Sequence, residues 1–216
     1  MNQRGIALLV GVVLLAAVSL LAVLVASGTL LQRNMATNFR EHALALENAT
    51  IASAFASAWL LSRSPGERDP DCLSECLLPM GIYGAGELPH SPEFEGAGWW
   101  DTYGYSAGYD PEAAIQADDP DLDGRSAHWL IEEIHHYTAA EASGENVSTA
   151  TGYYRILGRG QGKNTSSVAV IESILARPWG GEFEIGSYPP DGPAHSFCQQ
   201  FEPEQSCGVL SWRQRR

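Results

Sequence analysis

The stretch that decides the fold is IALLVGVVLLAAVSLLAVLVA, residues 6–26, which contains no charged residue. It has 21 residues, and only Gly11 and Ser19 interrupt its apolar side chains. A helix of about 20 apolar residues spans a bilayer, whereas the apolar part of a cleaved secretory signal has about 7–15 residues. Because Arg4 precedes the run, we expect the N-terminus to stay in the cytoplasm while the rest of the chain crosses.

The helical pattern continues beyond the apolar run. Residues 29–63 contain no proline, and Ile51, Phe55 and Trp59 follow one another at a spacing of four residues. Side chains with this spacing lie on one face of a helix, so the segment is predicted to be amphipathic. The sequence Ser-Pro-Gly at 64–66 is expected to end the helix.

Charge and motifs argue against two classes of function. The formal net charge is −13, and the sequence has no basic stripe of the kind that binds nucleic acid. It also lacks a phosphate-binding glycine loop, a GxSxG motif and a catalytic pairing of cysteine with histidine. We therefore expect neither an enzyme nor direct binding of nucleic acid.

Four cysteines form two local pairs in the sequence, Cys72 with Cys76 and Cys198 with Cys207. Behind a membrane-crossing segment they indicate disulfides formed in an oxidising compartment. Four cysteines allow three connectivities, of which pairing within each local pair is the simplest. A thiolate metal site is less favoured, because neither pair has CxxC spacing.

The C-terminal part of the chain predicts an antiparallel sheet. Residues 151–161 and 166–179 are rich in β-branched and aromatic side chains, and a polar turn at 162–164 joins them as a hairpin. The segment HWLIEEIHHY, residues 128–137, fits a strand or a helix, because its apolar alternation is imperfect. Residues 64–127 are predicted to be loop-like.

The N-terminal region resembles the type IV pilins and the pseudopilins of type II secretion. Residues 4–10, RGIALLV, are similar to the pilin processing site. Together with the later segment LLQRNMATNFREHALALENA, they are similar to the PilX-type minor pilins over about residues 4–58. The resemblance implies that a prepilin peptidase cleaves after Gly5 and methylates Ile6. It also implies an α+β, pilin-like fold, with a long N-terminal helix on a small antiparallel β-sheet with long loops. PilX-type proteins have an aromatic-x-IEE segment as first strand, which favours a strand at 128–137.

Two positions depart from the pilin pattern. Ile6 lies where the first mature residue is usually Phe or Met, and Val10 lies where major pilins carry Glu. In the family that Glu offsets the buried N-terminal ammonium of a neighbouring subunit, and an unpaired buried charge is costly. Subunits without it are minor pilins thought to lie at or near the filament tip, so the resemblance implies that position here. Gly11 and Gly28 are assigned with Val10 to the membrane and filament helix.

The resemblance divides the chain into four segments. These are a prepilin leader (1–5), the transmembrane and filament-core half of the helix (6–28), its amphipathic half (29–63) and a periplasmic head (64–216). Within the head we expect a loop at 64–127, a sheet at about 128–179 and a C-terminal disulfide loop at 180–216.

The candidate metal site is DDPDLDGR, residues 118–125. Asp119, Asp121 and Asp123 precede a glycine, as in the opening of a calcium-binding loop. The twelfth position is Leu130 rather than Glu, so a solvated acidic turn is the favoured alternative. Calcium is therefore the one candidate cofactor.

Two further clusters have a structural and a functional interpretation. EEIHH, residues 132–136, places two carboxylates beside two imidazoles without an HExxH pattern, so surface polar groups are favoured over a metal site. A second cluster holds aromatic residues among glycines, and packing over the sheet is favoured there over contact with neighbouring tip subunits. Its members are Trp99, Trp100, Tyr103, Tyr105 and Tyr109.

The function implied by the resemblance is assembly of a type IV pilus. We expect a minor pilin, single-pass in the bacterial inner membrane with its C-terminal head in the periplasm, that helps to initiate pilus assembly and then lies at the tip. The implied partners are other minor pilins, the major pilin, the prepilin peptidase, the inner-membrane assembly machinery and a tip adhesin. Twitching motility, adhesion or DNA uptake would follow. Two alternatives stay open: a tip pseudopilin of a type II secretion system, and a bitopic inner-membrane protein with a periplasmic binding domain.

Overall fold

The computed structural model describes residues 3–72, 76–116, 127–138, 150–186, 188, 195–201 and 205–216. The chain divides into two compact units, residues 1–41 and residues 42–216. Helix α1, Gln3–Leu61, contributes residues to both units.

The first unit consists of the N-terminal part of α1. From Leu9 onward its described side chains are exposed, apart from Gly11 and Glu41 at intermediate exposure. Among the described residues, α1 is the one helix that is long and apolar enough to cross a membrane, judged by length and composition. The helix is thus compatible with a single-pass membrane anchor.

The second unit combines the remainder of α1 with a six-stranded sheet and a two-stranded ribbon. The strands are β1 Ile82–Tyr83, β2 Tyr105–Ser106, β3 Tyr109–Asp110, β4 Ile115–Gln116, β5 Ala127–Thr138, β6 Ala150–Gln161, β7 Val168–Trp179 and β8 Gly208–Gln214. The short helices are α2 Ala97–Tyr103 and α3 His195–Cys198, with a 3₁₀ turn at Pro92–Phe94. The sheet order is β1-β5-β6-β7-β8, β2 also pairs with β5, and β3 pairs with β4 in the ribbon. Among these described pairings, β1 with β5 is the parallel one.

Three long antiparallel strands form the centre of the sheet. β5, β6 and β7 have 12 residues each, and they coincide within two residues with the strands predicted at 128–137, 151–161 and 166–179. The predicted α+β arrangement, a long N-terminal helix followed by an antiparallel sheet, is therefore confirmed.

The sheet buries apolar side chains on both faces. On the face that packs against α1, the rings of Trp59 and Trp129 lie 5.4 Å apart. On the opposite face, Leu130 and Leu157 pack with Trp100 of α2. The sequence of a strand that is buried on both faces is a nearly continuous apolar run. This explains why apolar and polar residues alternate imperfectly in β5.

Helix α1 lies directly on the backbone of β6. A Cβ atom at Gly160 would lie 2.0 Å from the Ala45 oxygen and 2.2 Å from the Ala49 nitrogen, and one at Gly158 would lie 2.3 Å from the Ala49 oxygen. Ala45 and Ala49 are themselves fully buried. Small residues on both elements therefore let the helix and strand backbones meet.

The structure adds elements in two segments that were expected to be loops. Residues 64–127 contain β1 to β4 and α2, and residues 180–216 contain α3 and β8, which extends the sheet along β7. These strands have two to seven residues. A segment this short has too few residues for a periodic pattern, and most of these strands form by pairing with a long strand that the rest of the fold supplies.

Candidate assembly surfaces

The N-terminal part of α1 presents an apolar surface without a charged side chain. No Asp, Glu, Lys or Arg lies between Arg4 and Arg33. Val10, at the position of the pilin glutamate, is 49 % exposed. Nothing outside the helix's own backbone lies within 4 Å of a Cβ placed on Gly11 or Gly28. Such a surface suits contact with lipid tails or with the apolar flanks of other helices.

The two carboxylates of EEIHH are buried rather than exposed. Glu133 accepts hydrogen bonds of 3.1 and 3.0 Å from Arg68 and of 2.9 Å from the Tyr154 hydroxyl. Glu132 is 3 % exposed and pairs with Arg155 at 2.5 Å. The favoured prediction of surface polar groups is therefore wrong for both glutamates. Glu133 ties the loop after α1 to β5, and Glu132 ties β5 to β6.

A β-bulge changes the alternation of the two histidines. The register of β5 on β6 shifts between Glu133 and His135. As a result His136 contacts the loop after α1, as Glu133 does. The His136 Nε2 lies 3.1 Å from the Pro70 oxygen, and Pro70 follows two residues after the Arg68 that Glu133 binds. A strict period of two would have placed His136 on the face opposite Glu133. The sequence carries no signal for this bulge.

Part of the aromatic cluster packs inside the head. Trp100 is fully buried, and its indole nitrogen donates a 3.1 Å hydrogen bond to the Pro92 carbonyl. The Tyr105 ring lies 5.0 Å from Trp129 and 5.9 Å from Tyr109, where the two rings stack. These contacts fit the packing interpretation.

The remaining two aromatic residues of the cluster lie closer to the surface. Trp99 and Tyr103 are four residues apart on α2, and their rings stack with centroids 5.0 Å apart. The Tyr103 side chain is 45 % exposed. This pair is accessible to a ligand or a partner in a way that Trp100 is not.

Both cysteine pairs form local disulfides, Cys72–Cys76 and Cys198–Cys207. The second bond joins the last residue of α3 to the residue before β8. A Cβ on Gly208 would lie 3.3 Å from the Cys198 sulfur. The bond therefore sets the starting point of β8 against α3.

The calcium candidates Asp119, Asp121 and Asp123 lie outside the described residues. Within the described parts of the chain, no group of three or more His, Cys, Asp and Glu residues could hold a metal ion. The backbone of Gly5 and Ile6 lies in α1, and cleavage between them stays a prediction.

Buried arginines are the main feature that the sequence analysis missed. Arg177 is fully buried, its guanidinium carbon lies 3.5 Å from the Trp179 ring centroid, and its Nη2 donates to the Arg63 carbonyl. Burial lowers the pKa of Arg177 to about 9. Side chains of β7 alternate with a period of two, so Arg177 lies on the same face as Leu175. This alternation is the sequence signal that indicates burial of Arg177.

The C-terminal arginines attach β8 to the rest of the head. Arg215 donates hydrogen bonds of 3.0 and 2.7 Å to Glu93 and of 2.8 Å to Glu172 on β7. Arg213 donates another of 2.8 Å to Glu172. Burial opposes ionisation of Glu93, but the hydrogen bonds and charge of Arg215 outweigh it and lower the pKa of Glu93.

Comparison with protein families identifies one match. The family model described as Type IV pilus assembly protein PilX C-term matches residues 48–177, which is more than half of the chain. The matched region runs from the part of α1 that packs on the sheet to Arg177, two residues before the end of β7. No curated protein and no solved structure matches the chain.

Proposed function

Since the chain belongs to the PilX family of type IV pilus assembly proteins, and is thus a minor pilin that interacts with other pilus components, we propose that it helps to initiate pilus assembly and lies at or near the tip. The observation that carries this proposal is the family match over residues 48–177 together with an apolar α1 that has Val10 in place of an acidic residue.

The proposal begins with processing at the membrane. Cleavage after Gly5 would leave Ile6 as the methylated first residue, with residues 6–28 in the inner membrane and residues 64–216 in the periplasm. The absence of charge between Arg4 and Arg33 supports this arrangement, because a charged side chain in the bilayer is costly.

Assembly then moves the apolar half of α1 from lipid to protein. Lipid tails are as apolar as leucine side chains, so exchanging lipid for the flanks of neighbouring helices changes the free energy little. An assembly motor could therefore extract the subunit with little work. Gly11 and Gly28 would let neighbouring helices approach closely.

The side chain at residue 10 supports the proposed tip position. A subunit with Glu there can neutralise the N-terminal ammonium of the next subunit, whereas Val10 leaves a buried ammonium unpaired. Such a subunit is unsuited to repeating along the filament and suited to its end. Other minor pilins, the major pilin and a tip adhesin are its proposed partners, and its role is structural rather than enzymatic.

The first test is the N-terminal sequence and intact mass of the chain from its native membrane. We expect a start at methylated Ile6. Gly5→Val should leave the leader attached and lower the number of pili, because the resemblance to pilins places the cut directly after a glycine. Gly66→Val is the matched control: it makes the same exchange at an open position in the loop after α1, and it should be processed and assembled like the wild type.

Three results would contradict the proposal. A start near Ser27 or an intact Met1 in the wild-type chain would mean a secreted domain or a simple anchor. Labelled protein distributed along the filament, rather than at one end, would exclude the tip position even if processing is correct.

A further inference from the structure

A cleft of about 370 Å³ lies in the head beside α2. Three aromatic rings, two apolar side chains and one carboxylate line it, namely Tyr83, Trp99, Tyr103, Leu88, Pro89 and Glu87. Trp99 and Tyr103 come from α2, and the other four come from β1 and the segment that follows it. Neither the family match nor the proposed assembly function assigns a role to this cleft.

The walls of the cleft are held by hydrogen bonds. The Tyr83 hydroxyl donates to the Tyr103 carbonyl at 2.7 Å and joins β1 to the end of α2. The Gly84 nitrogen donates to the Glu87 carboxylate at 2.7 Å, and the Gly86 nitrogen donates to Glu132 at 2.8 Å. The turn that carries Glu87 is thus fixed to itself and to β5, so little ordering is required when a ligand binds.

The charge of the cleft favours a cation. Among the described residues that line the cleft, Glu87 is the one acidic residue and is exposed, and none is a lysine, arginine or histidine. Burial, with the neighbouring tyrosines and Glu87, raises the pKa of Tyr83 to about 12, so that its ring stays neutral and electron-rich at physiological pH. The whole chain has a net charge of −13, which adds to the attraction for cations.

A cation with an apolar surface fits this lining better than a sugar does. Aromatic faces attract alkylated ammonium groups through the ring quadrupole, and apolar walls accept their methyl groups. A sugar needs several hydrogen-bonding groups that are free to orient it, but the Tyr83 hydroxyl and one Glu87 oxygen are already engaged within the protein. We propose that this cleft binds a small organic cation of the alkylated-ammonium class, with a choline-like group against the aromatic wall formed by Tyr83, Trp99 and Tyr103 and its charge facing Glu87.

The test uses the full chain in a maltoside detergent, because this detergent carries no ammonium group. Choline is titrated while tryptophan fluorescence and saturation transfer to the N-methyl protons are measured. The neutral isostere 3,3-dimethylbutan-1-ol has the same shape without the charge. We expect choline to bind about fivefold or more tightly than the isostere.

Two variants test the residues assigned to the cleft. Trp99→Ala should weaken choline binding about tenfold by removing an aromatic wall, and Glu87→Gln should weaken it about threefold with little change in shape. Trp212→Ala is the matched control, because Trp212 is an exposed tryptophan on β8 that does not line the cleft. It should leave choline binding unchanged. If Trp99→Ala fails to fold, Glu87→Gln alone carries the test.

Three outcomes would overturn the proposal. The first is equal affinity for choline and its isostere, and the second is displacement of choline by glucose at similar concentration. The third is tighter binding of N-acetyl-lysine amide than of choline, because this result would indicate that the cleft binds a partner's lysine side chain instead. All of these readouts are independent of pilus formation, so a failure here leaves the assembly function untouched.

Discussion

Single residues determine how closely α1 and the sheet approach. Gly160 lies where a methyl group would meet two backbone atoms of α1 at 2.0 and 2.2 Å, and backbone atoms cannot rotate away as a side chain does. We expect Gly160→Ala to lower the free energy of unfolding by about 3 kcal/mol, the upper part of the range for overpacked sites. Urea denaturation of the full chain in detergent measures this change.

The matched control for this variant is Gly66→Ala. No atom lies within 4 Å of a Cβ at Gly66, so the same substitution there should change the free energy of unfolding by less than about 0.5 kcal/mol. Similar losses for the two variants would mean that the helix does not rest on β6 as described.

Among the elements, β8 depends most on attachments outside its own sequence. It pairs with β7, and the Cys198–Cys207 disulfide holds the residue before it, Cys207, against α3. Replacing both cysteines by serine removes a cross-link worth about 2–3 kcal/mol for a short ring. We expect faster amide hydrogen exchange in residues 209–214, measured by mass spectrometry, while β5 to β7 stay protected.

The Cys72–Cys76 pair provides the control for this prediction. Its disulfide joins residues within the loop after α1, so replacing both cysteines by serine should leave exchange in β8 unchanged. The role given to the Cys198–Cys207 bond would be wrong if exchange in residues 209–214 were the same with and without it.

For the molecule as a whole, buried titratable groups predict loss of stability in acid. Burial lowers the pKa of His128 and of His136 below the usual 6.5, although Asp101 and the Pro70 carbonyl oppose the shift. Below about pH 6.5 the unfolded chain therefore binds more protons than the folded chain, and stability falls as the pH falls towards the lowered pKa values. The lowered pKa of Glu93 extends this loss below pH 4.5.

Urea midpoints at pH 7.5 and pH 5.5 measure this effect. The wild-type midpoint should be lower at pH 5.5, and the difference should shrink in a variant that combines His128→Gln with His136→Gln. His90→Gln replaces an exposed histidine and should keep the wild-type difference. A midpoint that rises on acidification would contradict the assigned burial of the two histidines.

Most of the fold could be predicted where a pattern is long enough to be read locally. The uncharged run at residues 6–26 and the amphipathic spacing after it predict α1, and two β-rich segments separated by a polar turn predict β6 and β7. β5 was ambiguous in the pattern, and the resemblance to PilX-type pilins favoured a strand. Short elements such as β1, β2 and β8 have no such pattern, because pairing with a neighbour forms them.

The amino-acid sequence by itself determined the apolar helix, the central strands, the local cysteine pairs and the family, since each depends on residues that are close in the chain. Tertiary packing decided that Glu132 and Glu133 are buried, that Arg177 binds the Arg63 carbonyl, and that a bulge turns His136 towards Pro70. It also brought β1 and α2 together around an aromatic cleft. The physical reason is that burial and pairing of a charged or aromatic side chain depend on partners tens of residues away, which local periodicity does not identify.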